Sequence, residues 1–472
     1  MTNLEITVGL EVHAQLATQT KLFCRCECTF GAPQNTQVCP VCLGHPGVLP
    51  VLNRKAVDYG IQAALALDME IHPSSKFDRK NYFYPDLPKG YQISQFDEPI
   101  ATKGKIALSA AREIRINRLH LEEDAGKNIH DRGPFGLVDF NRAGTPLAEI
   151  VSEPDIESAE EAKAYLTELK NRLRWVGAGD CDMEKGNLRV DVNISLAPKG
   201  KRATGTRAEI KNVNSFSSVV SAIQYEEKRQ KKILEAGESV VLETRTWDEA
   251  TQTTRTMRSK EEADDYRYFP EPDLPRLEID PEHIASLRQN LPESPTEIRL
   301  RWENELKLSE KDTLMLTSER AIALFFESAI ERGIPPNEAS KWIQNGVLAR
   351  VAPTELMDSE LTPDFLAEVL RLLDGRKINR QGAGALLDAA ANGDSSGPEN
   401  LLESLGLELQ DDATELDAAC DRAIENMPSA AQDVREGKEK AVGALMGLVM
   451  KESGGRADPA IVRQLLLTKL QG

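Results

Sequence analysis

Short segments in the first 215 residues pair a carboxylate with a basic or amide side chain two positions away. The pairs are Glu11 with His13, Asp191 with Asn193, and Glu209 with Lys211. Residues two apart on a β-strand lie on the same face, and Val8, Leu10 and Val12 alternate with the first pair. A further strand-like segment at 118–128 carries adjacent glutamates. Any single strand of this kind is more often a solvated outer face, but four together predict one shared polar site.

Five of the seven cysteines are clustered near the N-terminus, at Cys24, Cys26, Cys28, Cys39 and Cys42. Two closely spaced groups of thiolates offer four ligands to one tetrahedral ion, which favours structural zinc over unrelated buried thiols or an iron–sulfur cluster. The predicted zinc ligands are Cys24, Cys26, Cys39 and Cys42. Cys28 and His45 remain alternatives for the fourth place. Disulfides are not expected in a reducing cytoplasm.

Length and charge limit the class of protein. A chain of 472 residues exceeds one hydrophobic core and predicts two to four domains. The net charge of −18 would repel nucleic acid, so RNA contact requires a local basic patch. The sequence has no apolar run of about 18 residues and no secretory leader, which predicts a soluble, cytoplasmic protein without a membrane segment.

The order of elements predicts an α+β fold. Residues 1–292 combine short alternating strands and Gly/Pro turns with a few helices, such as 158–174, and form a mixed or antiparallel-sheet cradle domain. A Pro-rich boundary at 291–296 precedes an all-α domain at 293–405. Residues 406–472 form a helical C-terminal tail, where an acidic stretch gives way to a basic one.

The tail carries a stripe of small and basic residues. On a helical wheel Lys440, Gly443, Gly447 and Lys451 share one side, and apolar residues occupy the other. Glycines allow close approach and lysines neutralise phosphate, so the stripe is a predicted tRNA-binding face. Helix packing through a G-x-x-x-G face is an equally common explanation for such a stripe alone.

The familiar nucleotide-binding signatures are absent from the sequence. There is no G-x-x-x-x-G-K-[ST] loop, and the segment from Gly382 lacks the third glycine of a dinucleotide fingerprint. A bound nucleotide would therefore be held through a metal and carboxylates.

Long segments of the chain resemble the B subunits of the bacterial aspartyl/glutamyl-tRNA amidotransferases, the GatB family. They are GLEVHAQL from Gly9, CPVCLGHPGVLP from Cys39, KNYFYPDLPKGYQISQ from Lys80, HLEEDAGK from His120, DFNRAGTPLAEIVSEPD from Asp139, DVNIS from Asp191, EIKNVNS from Glu209 and YRYFPEPDLP from Tyr266. The resemblance continues through VGALMGLVMK from Val442. Some relatives lack the cysteine pairs, so zinc is argued from this chain's own spacing.

The resemblance implies a ligase that corrects misacylated tRNA. ATP phosphorylates the side-chain carboxylate of Glu-tRNA(Gln) or Asp-tRNA(Asn), and ammonia then displaces the phosphate. Mg²⁺ bridges phosphates in such transfers and prefers oxygen ligands. The implied partners are aminoacyl-tRNA, the amidase (glutaminase) or A subunit, which supplies ammonia, and the small C subunit, which completes a heterotrimer. Which of the two aminoacyl-tRNAs is used stays open.

The resemblance also implies the site residues. The metal and phosphate site is assigned Glu11, His13, Glu122, Glu123 and Glu149, with magnesium at Glu11, His13, Glu123 and Glu149. Around the same site are placed Asp191, Asn193, Glu209 and Lys211, with Lys211 offsetting phosphoryl charge.

Several residues near this site are left open. The alternating pattern breaks phase between Ile116 and Leu119, so a bulge decides which of Glu122 and Glu123 faces the site. His120 and His130 are interpreted as satisfied imidazoles and left out of the site. A second group lines either an entry path or an aromatic core: Tyr82, Tyr84, Lys89 and Tyr91.

Two other functions compete with this interpretation. A non-enzymatic, zinc-containing tRNA-binding or assembly factor is disfavoured because clustered carboxylates repel RNA unless a metal is present. A self-sufficient ATP-dependent ligase would use free ammonia and need no amidase.

Overall fold

The computed structural model describes residues 4–109, 111–129, 135–259, 263–409, 413–453 and 456–471. The chain divides into two compact units, Met1–Pro295 and Thr296–Gly472. The first is built on a mixed sheet and the second is helical, so the predicted α+β class is confirmed. Within the described ranges, every helix is too short or too polar to cross a membrane.

The first unit is organised around a nine-stranded sheet. The strands of the whole unit, including those of three smaller sheets, are β1 (Leu4–Gln15), β2 (Glu70–Ile71), β3 (Ser74–Ser75), β4 (Asp78–Asn81), β5 (Tyr91–Ser94), β6 (Ala101–Ser109), β7 (Arg112–Glu123), β8 (Lys127–Ile129), β9 (Leu137–Asp139), β10 (Pro146–Ser152), β11 (Leu188–Pro198), β12 (Ala208–Val213), β13 (Glu243–Asp248), β14 (Thr253–Ser259), β15 (Phe269–Pro270) and β16 (Leu277–Glu278) within the described residues. The sheet order is β14-β13-β12-β11-β1-β10-β7-β6-β2. Neighbouring strands are antiparallel except β12 and β13, which are parallel.

One face of this sheet is covered by helices. The helices of the unit are α1 (Arg54–Ala66), α2 (Ala159–Trp175), α3 (Phe216–Glu235) and α4 (Pro281–Gln289). Val8, Leu10 and Val12 of β1 are at most 1% exposed and share one hydrophobic core with residues of α1, α2 and α3. Because side chains alternate along a strand, burial of these residues turns Glu11 and His13 to the opposite face.

Side-chain caps begin the two longest helices of the first unit, α2 and α3. Ser158 Oγ accepts from Glu161 N at 3.0 Å, and Ser215 Oγ accepts from Ser218 N at 3.0 Å. Each bond satisfies an amide that the first helical turn leaves unpaired. The helix expected at 158–174 is therefore α2, which starts one residue after its cap.

A small sheet, β15-β4-β5, lies beside the end of β7. Gln92 Nε2 of β5 donates to the Glu123 carbonyl at 2.7 Å, and Leu121 N donates to Gln95 Oε1 at 3.0 Å. These bonds fix the stretch around residues 80–96 against the part of β7 that carries the adjacent glutamates.

The second unit consists of helices. They are α5 (Pro295–Glu305), α6 (Glu310–Leu316), α7 (Arg320–Glu331), α8 (Pro336–Trp342), α9 (Pro363–Asp374), α10 (Arg380–Ala391), α11 (Pro398–Ser404), α12 (Ala413–Asn426), α13 (Pro428–Arg435), α14 (Val442–Glu452) and α15 (Pro459–Gln471), with a π-helical turn at Ile343–Val347. The last four share a separate core that includes Leu416, Leu445 and Leu466. Asp458 caps α15 by accepting from Ala460 N at 2.7 Å.

Candidate active site and candidate metal centre

The strand register brings the predicted polar segments onto one face of the sheet. His13 of β1 faces Glu149 of β10, and Glu149 faces His120 of β7. On the other side of β1, Glu11 faces Asp191 of β11. Facing residues of an antiparallel pair point to the same side, so these side chains form a continuous polar surface.

The centre of this surface is a cluster of three carboxylates and two imidazoles. His13 Nε2 lies 3.3 Å from Glu149 Oε2, 3.5 Å from Glu122 Oε1 and 3.8 Å from Glu11 Oε1. His120 Nε2 lies 3.3 Å from Glu149 Oε2 and 3.6 Å from Glu122 Oε2. We call these five residues the acidic cluster: Glu11, His13, His120, Glu122 and Glu149.

The carboxylates of the acidic cluster favour the protonated, charged form of its two imidazoles. Burial opposes the charge on His13, but the hydrogen bond and charge of Glu149, helped by Glu122 and Glu11, raise its pKa to about 9. Burial likewise opposes the charge on His120, but Glu149 and Glu122 raise its pKa to about 9. In return, the two imidazoles hold the pKa of Glu149 well below its ordinary value despite burial.

Glu11 carries the remaining repulsion in the cluster. Repulsion from Glu149, followed by burial, raises the pKa of Glu11 to about 7, although His13 attracts it. A cation beside this carboxylate would relieve the like-charge repulsion. The donor atoms of Glu11, His13 and Glu149 all lie within 4.8 Å of one another, and so do those of His120, Glu122 and Glu149. Either set of oxygen and imidazole donors can hold a metal ion.

A second charged group lies next to Glu11. Lys211 Nζ donates to Asp191 Oδ2 at 2.6 Å and lies 3.4 Å from Glu209 Oε1. Burial opposes the charge on Lys211, but Asp191 and Glu209 outweigh it and raise its pKa. Asn193 faces Glu209 across the strands, and its Oδ1 is buried without a hydrogen-bond partner among the described residues. The structure therefore brings these four residues beside the acidic cluster.

Glu122 and Glu123 are adjacent on β7 but have different partners. The register of β7 against β10 shifts between Val151 and Ser152, which leaves Asn117 as an extra residue where the pattern breaks phase. Glu122 then joins the acidic cluster. Glu123 instead pairs with Lys89 and accepts from Ile93 N at 2.9 Å. The structure does not bring Glu123, a predicted magnesium ligand, to His13 and Glu149.

Two residues at the cluster were missed by sequence reasoning. His120, interpreted as a satisfied imidazole, faces Glu149, and its two-residue spacing from Glu122 was the available signal. Lys80 has its Nζ 4.8 Å from the centre of the Tyr266 ring. Burial opposes its charge, but Tyr268, Glu122 and Glu149 outweigh burial and raise the pKa of Lys80. The lysine reaches the cluster from β4, which sequence spacing does not reveal. His130 lies outside the described residues.

One group of residues was predicted to line either an entry path or an aromatic core: Tyr82, Tyr84, Lys89 and Tyr91. Tyr82 packs edge-on against Tyr84 and Tyr266, with ring centres 6.0 Å apart in both pairs. The Tyr91 ring lies 4.3 Å from the Arg79 guanidinium and 5.3 Å from Lys89 Nζ. These contacts group the tyrosine rings with the cationic side chains of Arg79 and Lys89.

The cysteine cluster lies in the loop between β1 and α1. The sulfur atoms of four residues fall within 4.8 Å of one another: Cys24, Cys26, Cys39 and Cys42. Cys39 N donates to Cys42 Sγ at 3.2 Å, as expected for a knuckle whose amides point at thiolates. A hydrogen bond from Cys24 lowers the pKa of Cys42 to about 4 against burial. Four thiolates at this spacing fit a tetrahedral metal ion.

Neither alternative ligand belongs to this cluster of described residues. Cys28 lies near Thr145 and Thr18, and burial raises the pKa of its thiol. His45 is exposed and donates its backbone amide to the Pro40 carbonyl at 2.9 Å. Lys21, by contrast, is fully buried and places its Nζ 3.6 Å from Cys42 Sγ.

The stripe predicted on the tail faces outward. Val442, Leu445 and Val449 of α14 are buried in the core of the last four helices. The stripe residues on the other side are exposed: Lys440, Gly443, Gly447 and Lys451. A Cβ added at either glycine would have open space around it within the described part of the chain.

Comparisons with known proteins cover nearly the whole chain. The GatB/GatE catalytic domain family matches residues 6–285, and the GatB domain family matches residues 324–470. The chain is 48% identical over 98% of its length to the B subunit of the aspartyl/glutamyl-tRNA(Asn/Gln) amidotransferase from Persephonella marina, of which 98% is covered. Identity to the corresponding protein of Carboxydothermus hydrogenoformans is 46%, covering 100% of this chain and 99% of that one. Identity to the corresponding protein of Thermosynechococcus vestitus is 48%, covering 99% of this chain and 96% of that one.

Proposed function

The chain belongs to the GatB family, the B subunits of aspartyl/glutamyl-tRNA(Asn/Gln) amidotransferases, and on that premise we propose how its residues act. The chain converts misacylated Glu-tRNA(Gln), Asp-tRNA(Asn) or both to the amidated forms. The side-chain carboxylate is phosphorylated by ATP, and ammonia then displaces the phosphate. Activation is required because a carboxylate has no good leaving group, whereas an acyl phosphate has one.

The acidic cluster is the observation that carries this proposal. Phosphoryl transfer needs little covalent help from the protein and depends on positioning and charge. Glu11, His13 and Glu149 would hold Mg²⁺, with Glu122 completing the donor set. When bound, the ion would neutralise phosphate charge and polarise the transferring group. All four side chains project from paired strands, which keeps the donors fixed before substrate arrives.

The lysines around the cluster would act on the substrate. Lys211 lies beside Glu11 and is held by Asp191 and Glu209, so its charge is positioned for the transferring phosphoryl group. Lys80 lies among tyrosine rings and interacts with the charges of Glu122 and Glu149. Because both stay protonated, they offset negative charge without exchanging protons with substrate.

Zinc is proposed for the thiolate cluster as a structural ion. Cys24, Cys26, Cys39 and Cys42 would occupy all four tetrahedral positions and leave none for water. The loop between β1 and α1 carries these residues, and zinc would hold that loop beside the strand bearing Glu11 and His13.

The remaining assignments concern partners and regions. Ammonia would come from the amidase (glutaminase) or A subunit, with the small C subunit completing a cytoplasmic heterotrimer. We keep the division into a catalytic cradle at 1–292, a helical domain at 293–405 and a tRNA-binding tail at 406–472. The outward stripe supports tRNA binding by the tail, because Gly443, Gly447 and Lys451 of α14 and Lys440, in the 3-10 turn just before it, are exposed.

Replacing one ligand tests the site directly. Glu11→Gln removes a charge while keeping the side chain's shape, and the rate of amidation by the assembled enzyme should fall roughly 10²- to 10³-fold. Glu5→Gln on the same strand is the matched control, since six residues of strand separate it from Glu11 by about 20 Å. Near-normal amidation by Glu11→Gln at ordinary Mg²⁺ would remove Glu11 from the site.

ATP turnover separates the competing functions. We expect aminoacyl-tRNA to stimulate ATP hydrolysis, and glutamine to support amidation only when the amidase is added. A tRNA-binding factor would show no turnover. A self-sufficient ligase would reach its full amidation rate with free ammonia, and adding the amidase and glutamine would not raise that rate. Running Glu-tRNA(Gln) and Asp-tRNA(Asn) in parallel identifies the substrate.

A further inference from the structure

Arg118 of β7 is a further cation beside the acidic cluster. Its Nη2 lies 3.5 Å from Glu149 Oε1. The two imidazoles, on His13 and His120, contact the other oxygen of this carboxylate, Oε2. The guanidinium therefore reaches the central carboxylate of the cluster on the oxygen that the imidazoles leave unused.

Most donors of this guanidinium are not used by the protein. In the described part of the chain, the long contact with Glu149 is the one hydrogen bond that it donates, and its Nε is buried without a partner. A guanidinium carries several N–H donors and stays charged in proteins. The Arg118 side chain is 37% exposed, so its outer donors are accessible to a ligand.

Neighbouring arginines on the same strand show what Arg118 lacks. Arg112 binds Glu161 through Nε and Nη2, both at 2.8 Å. Arg115 binds Asp155 in the same way, at 2.8 and 2.6 Å. Two parallel hydrogen bonds are the strong arrangement of an arginine with a carboxylate. Arg118 has a single contact at 3.5 Å, so a carboxylate from a ligand would supply the missing pair.

The strand neighbours of Arg118 are neutral. It faces Val151 of β10 on one side and Thr102 of β6 on the other. The Thr102 hydroxyl lies 2.9 Å from His72 Nε2 and is therefore already engaged. These neighbours offer no acidic side chain that would compete with a ligand for the guanidinium.

The order of strands separates Arg118 from Lys211. The order β12-β11-β1-β10-β7 places them on opposite sides of β1. Glu11 faces Val151, which faces Arg118, so Arg118 lies two strands, about 10 Å, from Glu11. In phosphoryl transfer the attacking and leaving oxygens lie roughly in line on opposite sides of the transferred group. Cations on both sides of the cluster suit that geometry.

We propose that Arg118 binds the side-chain carboxylate of the aminoacyl group and orients it for attack on the phosphoryl group. The inference rests on the proposed function and names the residue that receives its carboxylate substrate. One carboxylate oxygen would form a bond to the γ-phosphorus of ATP while the bond from that phosphorus to the ADP oxygen breaks. ADP leaves with the electron pair, and no proton moves. Arg118 would also offset repulsion between the incoming carboxylate and Glu149.

This role would distinguish substrate from product. The substrate ends in a carboxylate, whereas the product ends in a neutral amide. Hydrogen bonds between two charged groups are about twice as strong as neutral ones. Arg118 would therefore hold the aminoacyl-tRNA before amidation more tightly than the aminoacyl-tRNA after it.

Comparing substrate and product binding tests the proposal. The complex with the amidase is titrated with Glu-tRNA(Gln) and with Gln-tRNA(Gln) in Mg²⁺ without ATP, and binding is followed by fluorescence anisotropy. The pair Asp-tRNA(Asn) and Asn-tRNA(Asn) is measured in parallel, and the pair that the enzyme amidates is used. The unaltered complex should bind substrate about tenfold more tightly than product. Arg118→Gln should bring the two Kd values within about twofold and leave that of the product unchanged.

Two further variants control the measurement. Arg115→Gln removes the same charge from the same strand about 10 Å away, at an exposed arginine, and should preserve the ratio of the two Kd values. Arg118→Lys keeps the charge but cannot form two parallel bonds. It replaces Arg118→Gln if that variant fails to fold, and the ratio should then fall at least about threefold.

The outcomes separate this inference from the proposed function. Equal binding of substrate and product by the unaltered complex overturns the inference, and so does an unchanged ratio in the folded Arg118 variant. A lower Mn²⁺ affinity with an unchanged ratio would make Arg118 only a counter-charge for Glu149. If the unaltered complex amidates neither tRNA with ATP, the proposed function fails and the inference fails with it. Normal amidation with an unchanged ratio overturns the inference alone.

Discussion

The first unit holds two kinds of candidate metal site, the cysteine cluster and the acidic cluster. They differ in the type of ligand and in the elements that carry the ligands. The cysteine cluster offers four soft thiolates from a loop, which satisfy a tetrahedral ion completely. The acidic cluster offers carboxylates and imidazoles from paired strands, and Glu11 keeps 27% of its side chain exposed. The difference fits the proposed roles: four thiolates would fill every position of a structural ion, whereas the acidic cluster would leave positions for substrate.

The charges around the two sites differ in the same way. The thiolates have Lys21 as a fully buried cation close to Cys42. The acidic cluster has Lys211 and Lys80 at its margins, and its own imidazoles already balance part of the carboxylate charge. A thiolate cluster with a fixed, buried counter-charge suits a permanent ion, whereas a cluster with lysines at its edge suits transient phosphates.

The largest effect on stability is expected from removing a ligand of the cysteine cluster. Purified protein should contain about one zinc per chain, as four thiolates around one ion require. Cys39→Ser should lose the metal and destabilise residues 20–50, because metal binding at such sites contributes folding free energy on the order of 10 kcal/mol. Metal analysis and thermal unfolding measure this, with Cys420→Ser as a control outside the cluster. Unchanged stability in a metal-free preparation would contradict it.

A smaller effect on the free energy of unfolding is expected when pH changes the charges of the acidic cluster. In magnesium-free buffer the folded pKa of His13 and of His120 is about 9, above the ordinary 6.5. The native state therefore binds more protons, so this contribution is complete below pH 6.5 and is lost as pH rises through 9. For one such histidine the loss is on the order of 3 kcal/mol, from about 1.4 kcal/mol per pKa unit.

Urea unfolding at a series of pH values measures this loss. His13→Gln should flatten the decline between pH 6.5 and 9, whereas His45→Gln, at an exposed histidine, should preserve it. A free energy of unfolding that stays constant across this window in the unaltered chain would show that the imidazoles are not paired with the carboxylates.

Lys21 is expected to support zinc binding by the cysteine cluster. Four thiolates around a divalent ion would leave a net negative charge, and the fully buried Lys21 beside Cys42 would offset it. Lys21→Met keeps the length of the side chain and removes its charge, so zinc affinity should fall about 10- to 100-fold, as for other groups that support metal ligands. Competition with a chromogenic chelator measures this. Lys55→Met, at an exposed lysine, is the control, and equal zinc retention by Lys21→Met would contradict the role.

The smallest effect is expected from the tail. Lys440→Glu with Lys451→Glu should raise the KM for aminoacyl-tRNA and reduce its salt dependence by about two phosphate contacts, with little change in kcat. Lys228→Glu with Lys231→Glu on α3 carries the same change in charge as a control. If the tail variant keeps its tRNA KM but dissociates from its protein partners, the stripe is a packing face.

Local patterns predicted what depends on neighbouring residues in the chain. The alternation around Glu11, the helix expected at 158–174 and the four spaced cysteines each depend on short spacing, and the structure places them accordingly. The phase break before Glu122 indicated a bulge but not its outcome, because that outcome depends on the register against β10. Lys80 reaches the acidic cluster through tertiary packing, so a single sequence carried no signal for it.

Metal binding by the acidic cluster tests the central claim most directly. Mn²⁺, which substitutes for Mg²⁺ and is detected by electron paramagnetic resonance, is titrated into the full-length chain and into Glu149→Gln. Glu149 faces both imidazoles and belongs to both donor sets, so the account predicts one bound Mn²⁺ per chain and an affinity at least about tenfold lower in the variant. Equal Mn²⁺ affinity in the two proteins would show that the acidic cluster is not the metal site.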